Sequence, residues 1–128
     1  MSFEDQLDRL GLTIPNPAKP AGSYKPCLIV DNIAYISGQG PLLEDGTFAK
    51  GVIGKDVDIE TGQKHAQRCG LAILSALKNE VGDLDKVEQL MKITGFVNCI
   101  SDFTQQPSII NGCSDLMKEV FGDKGVHA

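Results

Sequence analysis

The stretch LIVDNIAYISGQ, residues 28–39, decides the fold of this chain. Two short runs rich in β-branched and aromatic residues flank Asp31 and Asn32, and both of these residue types tolerate the left-handed backbone of a tight turn. We therefore predict a β-hairpin whose strands cover residues 28–30 and 33–37. The hairpin places an antiparallel pair of strands early in the fold.

The second strand of this hairpin ends in polar residues. Ser37, Gly38 and Gln39 combine small hydrogen-bonding groups with a flexible glycine at a strand end. Tyr24 lies a short distance upstream, and Asn111 opens another polar patch far downstream. Backbone and side-chain donors at the strand end can converge on a small polar ligand.

The elements that flank the hairpin follow from caps, prolines and turn residues. Ser2 can cap a short helix that stops at Gly11, and three prolines with a glycine make residues 14–22 an extended arm. Residues 44–46, Glu-Asp-Gly, predict the turn of a second hairpin.

Two longer helices are predicted from periodicity. Asp58 can cap a helix that runs to about Glu80 and stops at Gly82, with apolar residues at i, i+3, i+4 and i+7. Pro107 suits the first turn of another helix, which ends at Gly122. The buried face of this last helix is predicted to consist of Ile110, Cys113, Met117, Val120 and Phe121.

Residues 89–100 alternate with a period of two, which is typical of a strand. One face would carry Met91, Ile93, Gly95 and Val97, and the other Leu90, Lys92, Thr94 and Phe96. The resulting order β-β-β-α-β-α indicates an α+β fold, with helices on one face of a mostly antiparallel sheet. The helix from 59 to 80 would form a right-handed crossover, and 128 residues suit a single domain, 1–128.

Composition disfavours several classes of function. The net charge is −5 and the basic residues are scattered, so a nucleic-acid partner is not favoured. Apolar runs are too short to span a bilayer, and the N-terminus carries acids where a secretory signal would carry positive charge. We expect a cytoplasmic protein with no membrane partner.

The cysteines and histidines do not indicate a metal site. Cys27, Cys69, Cys99 and Cys113 form no Cys-x-x-Cys pair, and His65 and His127 are the only histidines. Cys69 and Cys113 fall on apolar helix faces, where a thiol behaves as a small hydrophobe. We expect reduced thiols and no metal.

Several motifs, taken in order, resemble the RidA (YjgF) family of reactive-intermediate deaminases, whose members are also described as endoribonuclease L-PSP-like. The matching segments are Tyr24, Asn32 to Gln39, Lys92 to Val97, Asp102-Phe103, Asn111 and Val120-Phe121-Gly122. The arm at residues 14–24 is similar to that of a variant subgroup with an N-terminal extension. The resemblance covers nearly the whole chain.

The resemblance implies a chorismate-mutase-like fold, assembled as a homotrimer with ligand clefts between subunits and no cofactor. The activity that it implies is hydrolysis of small enamines and 2-imino acids, such as 2-aminoacrylate, to 2-keto acids and ammonia. The substrate-binding residues carried over by position are Tyr24, Ser37, Gly38, Gln39 and Asn111.

Two family residues have no counterpart among these 128 residues. In active family members an arginine that binds the substrate carboxylate would come directly after Ala128, followed by two final strands, one with a water-positioning glutamate. Either the chain continues past Ala128, or the protein lacks this guanidinium. Arg9 and Arg68 are no obvious substitutes, and we expect Arg68 to face solvent or a neighbouring subunit.

Structural roles compete with functional ones at each candidate residue. Tyr24 could pin the proline-rich arm, Ser37 could cap its strand end, and Asn111 could lie on a solvated face. Gln39 is expected to bond backbone near the turn. Among the remaining groups His65 is expected at a surface or an interface, His127 in a loop with nothing catalytic beside it, and Cys99 as an inert thiol.

Three functions therefore stay open. The first is the imine deaminase, the second is a relative that binds small imino or keto acids without turnover, and the third is an endoribonuclease, which the acidic composition disfavours. The sequence does not identify the physiological substrate.

Overall fold

The computed structural model describes residues 2–128, which form three α-helices and one two-stranded antiparallel sheet. The elements in chain order are α1 (Phe3–Arg9), β1 (Cys27–Val30), β2 (Ile33–Ile36), α2 (Ile59–Val81) and α3 (Gln106–Phe121). Short 3-10 turns follow at Leu84–Lys86 and Gly122–Gly125. No helix in residues 2–128 is both long and apolar enough to cross a membrane.

Side-chain caps fix the starts of the first two helices, as the sequence predicts. At α1 the Ser2 hydroxyl accepts from the Asp5 amide at 3.0 Å, while the Asp5 carboxylate accepts from the Ser2 amide at 3.1 Å. At α2 the Asp58 carboxylate accepts from the Thr61 amide at 2.8 Å. The predicted glycine stop of α2 is also confirmed, because Gly82 has a φ of 84°.

The core lies mainly between α2 and α3. Leu71, Leu74, Leu116 and Met117 are almost fully buried there. The two helices come close at Gly112, where an added Cβ would stand 1.9 Å from the Gln63 carbonyl oxygen. This close approach is possible because glycine has no side chain.

The buried face of α3 differs from the prediction at positions 109, 110 and 116, since Leu116 is also buried and was not predicted. Ile109 is buried, whereas the predicted Ile110 is only half-buried and lies against Gly95. Cys113, Met117, Val120 and Phe121 are buried as predicted. Ile110 faces the chain segment at residues 88–98 instead of α2.

The first hairpin forms with the predicted turn. Val30 pairs with Ile33, and Asp31 and Asn32 both adopt positive φ values, 51° and 62°, as a type I′ turn requires. Strand β1 begins one residue earlier than predicted, at Cys27, and β2 ends one residue earlier, at Ile36.

The two faces of this hairpin have different environments. The pair Cys27 and Ile36 packs against the helical core. The neighbouring pair, Leu28 and Tyr35, points outward and is 47% and 57% exposed. The sheet therefore covers the core on one side and leaves an apolar surface on the other.

The second predicted hairpin is reduced to a single bridge between Leu42 and Phe48. The Leu43 amide donates to the Thr47 carbonyl at 2.8 Å, and the Ala49 amide donates to the Pro41 carbonyl at 3.1 Å. The ladder cannot continue regularly because Pro41 has no amide hydrogen to donate.

The strand predicted at residues 89–100 is not formed, although its alternation is partly present. Ile93 and Val97 pack against the core clusters, while Phe96 between them is 93% exposed. A strand needs a neighbour that continues the ladder, and within residues 2–128 the segment pairs only at its end, through a parallel bridge between Ile53 and Cys99.

That parallel bridge agrees with the predicted crossover. Helix α2 lies in the chain between Ile53 and Cys99, so it connects two parallel segments. The architecture is α+β, with the helices on one side of the hairpin. Its described sheet is smaller than the sequence predicts.

Candidate functional site

Ser37 closes the open end of the hairpin. Its amide donates to the Pro26 carbonyl at 2.9 Å, and its hydroxyl donates to the Lys25 carbonyl at 2.7 Å. Both bonds hold the strand end against the chain that enters β1. Because the hydroxyl hydrogen is used, the oxygen is left to accept a hydrogen bond from a ligand N–H.

Tyr24 lies beside this strand end, next to Lys25 in the chain. Its hydroxyl accepts from the Ala21 amide at 3.2 Å, and its ring covers Gly22. The side chain therefore holds the end of the arm, which is the structural role weighed above. It is also 49% exposed, and the hydroxyl hydrogen can be donated to a ligand acceptor.

Gln39 and Gly38 complete the group at the strand end. The Gln39 amide nitrogen donates to the Ser37 carbonyl at 3.1 Å, so this residue bonds backbone as expected. Gly38 is exposed, with open space where a side chain would be. Four of the five predicted site residues thus lie together.

The cavity next to this group is too small for a substrate. It lies between the arm and α2, is lined by Gln39, Gly40 and Ser75, and has a volume of about 20 Å³. This is room for about one water molecule. The buried Ser75 hydroxyl donates to the Pro15 carbonyl at 2.7 Å and fixes the arm over it.

Asn111 is not brought to the strand end within one chain. It is exposed on α3, and among the described elements α3 makes no contact with β1 or β2. A site that contains both Ser37 and Asn111 would therefore need a second copy of the chain.

Arg68 occupies a different place from the one predicted. Its Nε donates to the Leu42 carbonyl at 2.6 Å, so the guanidinium supports the loop after Gln39 in its own chain. The side chain is partly buried. It holds backbone next to the strand end, a role that the helical pattern alone did not indicate.

The structure also brings together a serine and a histidine that sequence reasoning did not pair. Ser114 Oγ lies 2.8 Å from His127 Nε2, and His127 Nδ1 lies 2.8 Å from the Ala128 carbonyl oxygen. The chain turns back after α3 through Gly122–Gly125, which returns the histidine to the helix. No periodicity marks a contact across such a turn, and the sequence, from which we expected nothing catalytic beside His127, did not indicate this serine.

The thiols near the core are poor nucleophiles. Burial raises the pKa of Cys113 to about 11, with a further contribution from the charge of Cys69. Burial also raises the pKa of Cys69 and of Cys27. All four cysteines are free, and no group of three or more metal-ligating side chains gathers in the part of the chain described.

A second, open groove of about 450 Å³ lies at the start of α2. Its walls are apolar, with Ile53, Val57 and Phe103, and its rim carries Asp58 and Glu60. Two carboxylates at the rim make this groove unsuitable for an anionic acid.

Comparison with known proteins identifies the family. The profile of the family described as "YjgF/chorismate_mutase-like, putative endoribonuclease" matches residues 4–128. Protein TCP17 of Trypanosoma cruzi is 37% identical over 123 residues, which cover 95% of this chain and 77% of that protein.

Two solved structures have the same fold. The protein Atu1372 from Agrobacterium tumefaciens, of unknown function, is 38% identical, with a TM-score of 0.89 over 99% of this chain and 77% of that chain. The structure described as a "putative endoribonuclease" from Shewanella oneidensis MR-1 is 30% identical, with a TM-score of 0.96 over all of this chain and 85% of that chain. By profile, sequence identity and fold, this chain belongs to the YjgF/chorismate mutase-like family.

Proposed function

We propose that this protein is a cytosolic imine deaminase that hydrolyses small 2-imino acids, such as 2-aminoacrylate, to 2-keto acids and ammonia. The reaction would take place without a cofactor, in clefts between the subunits of a homotrimer. Each cleft would combine Tyr24, Ser37, Gly38 and Gln39 of one copy with Asn111 of another.

The observation that carries this proposal is the set of free hydrogen-bonding positions at the strand end. The Tyr24 hydroxyl has a hydrogen to donate, while the Ser37 hydroxyl uses its hydrogen on Lys25 and can only accept. A 2-imino acid presents complementary groups, a carboxylate that accepts and an imine N–H that donates. Asn111, whose amide both donates and accepts, would complete the contact.

The need for a second copy has independent support in the exposed apolar surface. Leu28 and Tyr35 on the outer face of the hairpin, together with Phe96, are large hydrophobic residues open to solvent. Large apolar groups open to solvent favour association with another protein surface. A trimer would bury them and would bring two different parts of the chain into one cleft.

The activity can be tested by coupling. A pyridoxal-phosphate-dependent dehydratase acting on serine releases 2-aminoacrylate, and the rate of pyruvate formation is followed with and without this protein. The protein should accelerate the step after enamine release. An unchanged rate at every protein concentration would contradict the proposal.

Variants test the assignment of the site. Tyr24→Phe, Ser37→Ala and Asn111→Ala should each lower kcat/KM by about tenfold or more, because each removes a hydrogen bond to a polar or charged substrate. Asn79→Ala is the matched control, since it changes an exposed helical asparagine on α2. Equal losses in the variants and the control would argue against the site.

Endoribonuclease activity is the second candidate, and the description of the Shewanella structure favours it. The net charge of −5 and the scattered basic residues count against RNA binding. Cleavage of RNA by metal-free protein, abolished by Asn111→Ala and retained by Asn79→Ala, would favour this candidate over the deaminase. Tight binding of a 2-keto acid without turnover would instead indicate a non-catalytic relative.

A further inference from the structure

The proposed hydrolysis requires a group that moves protons. Imine hydrolysis adds a proton to the nitrogen, removes one from the attacking water and adds another before ammonia leaves. A tyrosine hydroxyl, a serine hydroxyl bonded to backbone and an amide are poorly suited to this at neutral pH. Imidazole is the side chain that exchanges protons readily in that range.

His127 is held in one orientation although it lies in an irregular segment. Both ring nitrogens are hydrogen-bonded, Nε2 to the Ser114 hydroxyl and Nδ1 to the Ala128 carbonyl oxygen. The backbone on either side is fixed as well. The Ala128 amide donates to the Met91 carbonyl at 2.8 Å, and the Gln89 side chain donates to the Val126 carbonyl at 3.0 Å.

These contacts define the tautomer of the neutral ring. The Ala128 carbonyl oxygen can only accept, so Nδ1 carries the hydrogen. Nε2 is then the acceptor, and it receives the hydrogen of the Ser114 hydroxyl. A base whose position is set by a third group, with a hydroxyl at its other nitrogen, is an arrangement suited to proton transfer.

The pair lies next to a residue of the proposed site. Ser114 is three positions after Asn111 on α3, and residues at this spacing are neighbours on a helix surface, with Cβ atoms roughly 5–6 Å apart. Asn111 is exposed and Ser114 half-buried, so the hydroxyl lies on the core side of the asparagine. A ligand held by Asn111 would be within reach of the serine.

We propose that Ser114 and His127 form a proton relay that serves the imine-hydrolysis site containing Asn111. The inference rests on the proposed deaminase function and adds the residues that exchange protons with the substrate. The chemical class of the substrate is a 2-imino acid, whose nitrogen is the group that the Ser114 hydroxyl would approach.

The relay conserves protons over one turnover. The imidazolium form of His127 gives its Nε2 hydrogen to Ser114 Oγ while the hydroxyl hydrogen passes to the imine nitrogen. Water then adds to the carbon, the C=N π bond becomes the nitrogen lone pair, and the proton lost by water returns through Ser114 to His127. A second protonation of nitrogen breaks the C–N bond, ammonia leaves, and loss of the remaining hydroxyl proton forms the keto group and restores the pair.

A purely structural role for the pair makes different predictions. If Ser114 and His127 only pin the terminal segment, any side chain that preserves the hydrogen bond would preserve activity. His127→Gln is such a variant, because an amide can bond Ser114 but cannot exchange protons near neutrality. The matched control is His65→Gln, which changes the other histidine of the chain, on α2.

The test measures kcat, KM and the pH profile in the coupled assay with intact protein. His127→Gln and Ser114→Ala should lower kcat by about 10²-fold or more with KM nearly unchanged. The wild type and His65→Gln should show a pH-dependent limb in kcat that His127→Gln lacks. Thermal unfolding of each variant checks that the fold is retained.

Other charged residues lie on the elements that carry or contact the relay, so the variants, and not the pH limb alone, assign the proton exchange to His127. They are Asp115 and Lys118 on α3, Glu88 and Lys92 on the segment that contacts Ala128, and Asp123 and Lys124 before the histidine.

The outcomes separate the two proposals. If the wild type accelerates pyruvate release and His127→Gln keeps both kcat and the pH limb, the relay is overturned while the deaminase function stands. If the wild type does not accelerate pyruvate release, the deaminase proposal is overturned and the relay with it. Loss of kcat and of the pH limb in His127→Gln, with both retained in His65→Gln, supports the relay.

Discussion

Gly112 is the residue that sets the separation of α2 and α3. Its Cα faces the Gln63 carbonyl so closely that a methyl group would stand 1.9 Å from the oxygen. The opposing atom belongs to helical backbone, which cannot rotate away as a side chain can. A residue larger than glycine therefore fits only if the two helices move apart.

Gly112→Ala should lower the free energy of unfolding by about 1–3 kcal/mol, because the two helices must move apart and the core between them loosens. The helix propensity of alanine, worth about 1 kcal/mol, opposes this loss but does not cancel it. The measurement is urea unfolding followed by circular dichroism.

Gly38→Ala is the control for this prediction. Nothing lies within 4 Å of the added methyl group. Its effect should be within about 0.5 kcal/mol. Equal stability of the Gly112→Ala variant and the wild type would contradict the close approach of the helices.

At the scale of single residues, the sequence predicts local roles of side chains better than contacts between distant residues. The backbone bond of Gln39 followed from its position after a strand, and the tyrosine that pins the arm was among the alternatives. The bond from Arg68 to Leu42 and the pairing of Ser114 with His127 were missed. Both join positions that are distant in sequence or separated by a turn, and no local pattern encodes such contacts.

At the scale of elements, the helices follow from local chemistry. Caps, glycine stops and periodicity depend on neighbouring residues only, so α1 and α2 begin and end almost where predicted. The segment at residues 88–98 differs, since its alternation is local but its ladder depends on a partner strand. The sequence predicted the alternation but not which side chains face the core, since Leu90 packs there while Met91 is exposed. It did not predict the hydrogen bonds of the segment.

The N-cap of α2 gives a pH-dependent prediction. The hydrogen bonds from Thr61 lower the pKa of Asp58 below its usual 3.8 in the folded protein. A lowered pKa stabilises the fold above the unfolded value, and this contribution is lost as the pH falls through the folded value. The ionised Asp58 cap should therefore stabilise the start of α2 most at neutral pH.

The variants Asp58→Asn and Asp58→Ala separate capping from charge. Asparagine keeps an oxygen acceptor but cannot titrate, whereas alanine removes the cap. The difference in Tm between wild type and Asp58→Asn should shrink from about pH 6 to about pH 2, while Asp58→Ala stays below Asp58→Asn throughout. A difference that grows on acidification would contradict the assignment.

At the scale of the whole molecule, the chain presents two different sides. The helical side carries the core, and the outer side of the hairpin carries exposed apolar residues. Phe96, in the segment at residues 88–98, is 93% exposed. The α+β class was predictable from the order of elements. Which large apolar side chains stay exposed was not, because exposure depends on how segments distant in the sequence pack.

Phe96→Glu should weaken self-association without changing the stability of the isolated chain, because the ring makes almost no contact within its own chain. Light scattering coupled to size-exclusion chromatography gives the mass at several concentrations. We expect a trimer for the wild type and a smaller species for Phe96→Glu. Asn79→Glu, an exposed change on α2, is the control for added charge.

A wild type with the mass of one chain would contradict the shared cleft. An unchanged mass for Phe96→Glu would place the contact surface elsewhere on the molecule.

The position of the core between α2 and α3 has a consequence for deuterium uptake. Amides in the middle of these helices should exchange slowest, because they open only when the chain unfolds globally. Within residues 2–128, β1 and β2 pair only with each other, so their amides should label early in dilute solution. If uptake at the hairpin slows as the protein is concentrated while uptake in α2 does not, isotope labelling will map the assembled surface residue by residue.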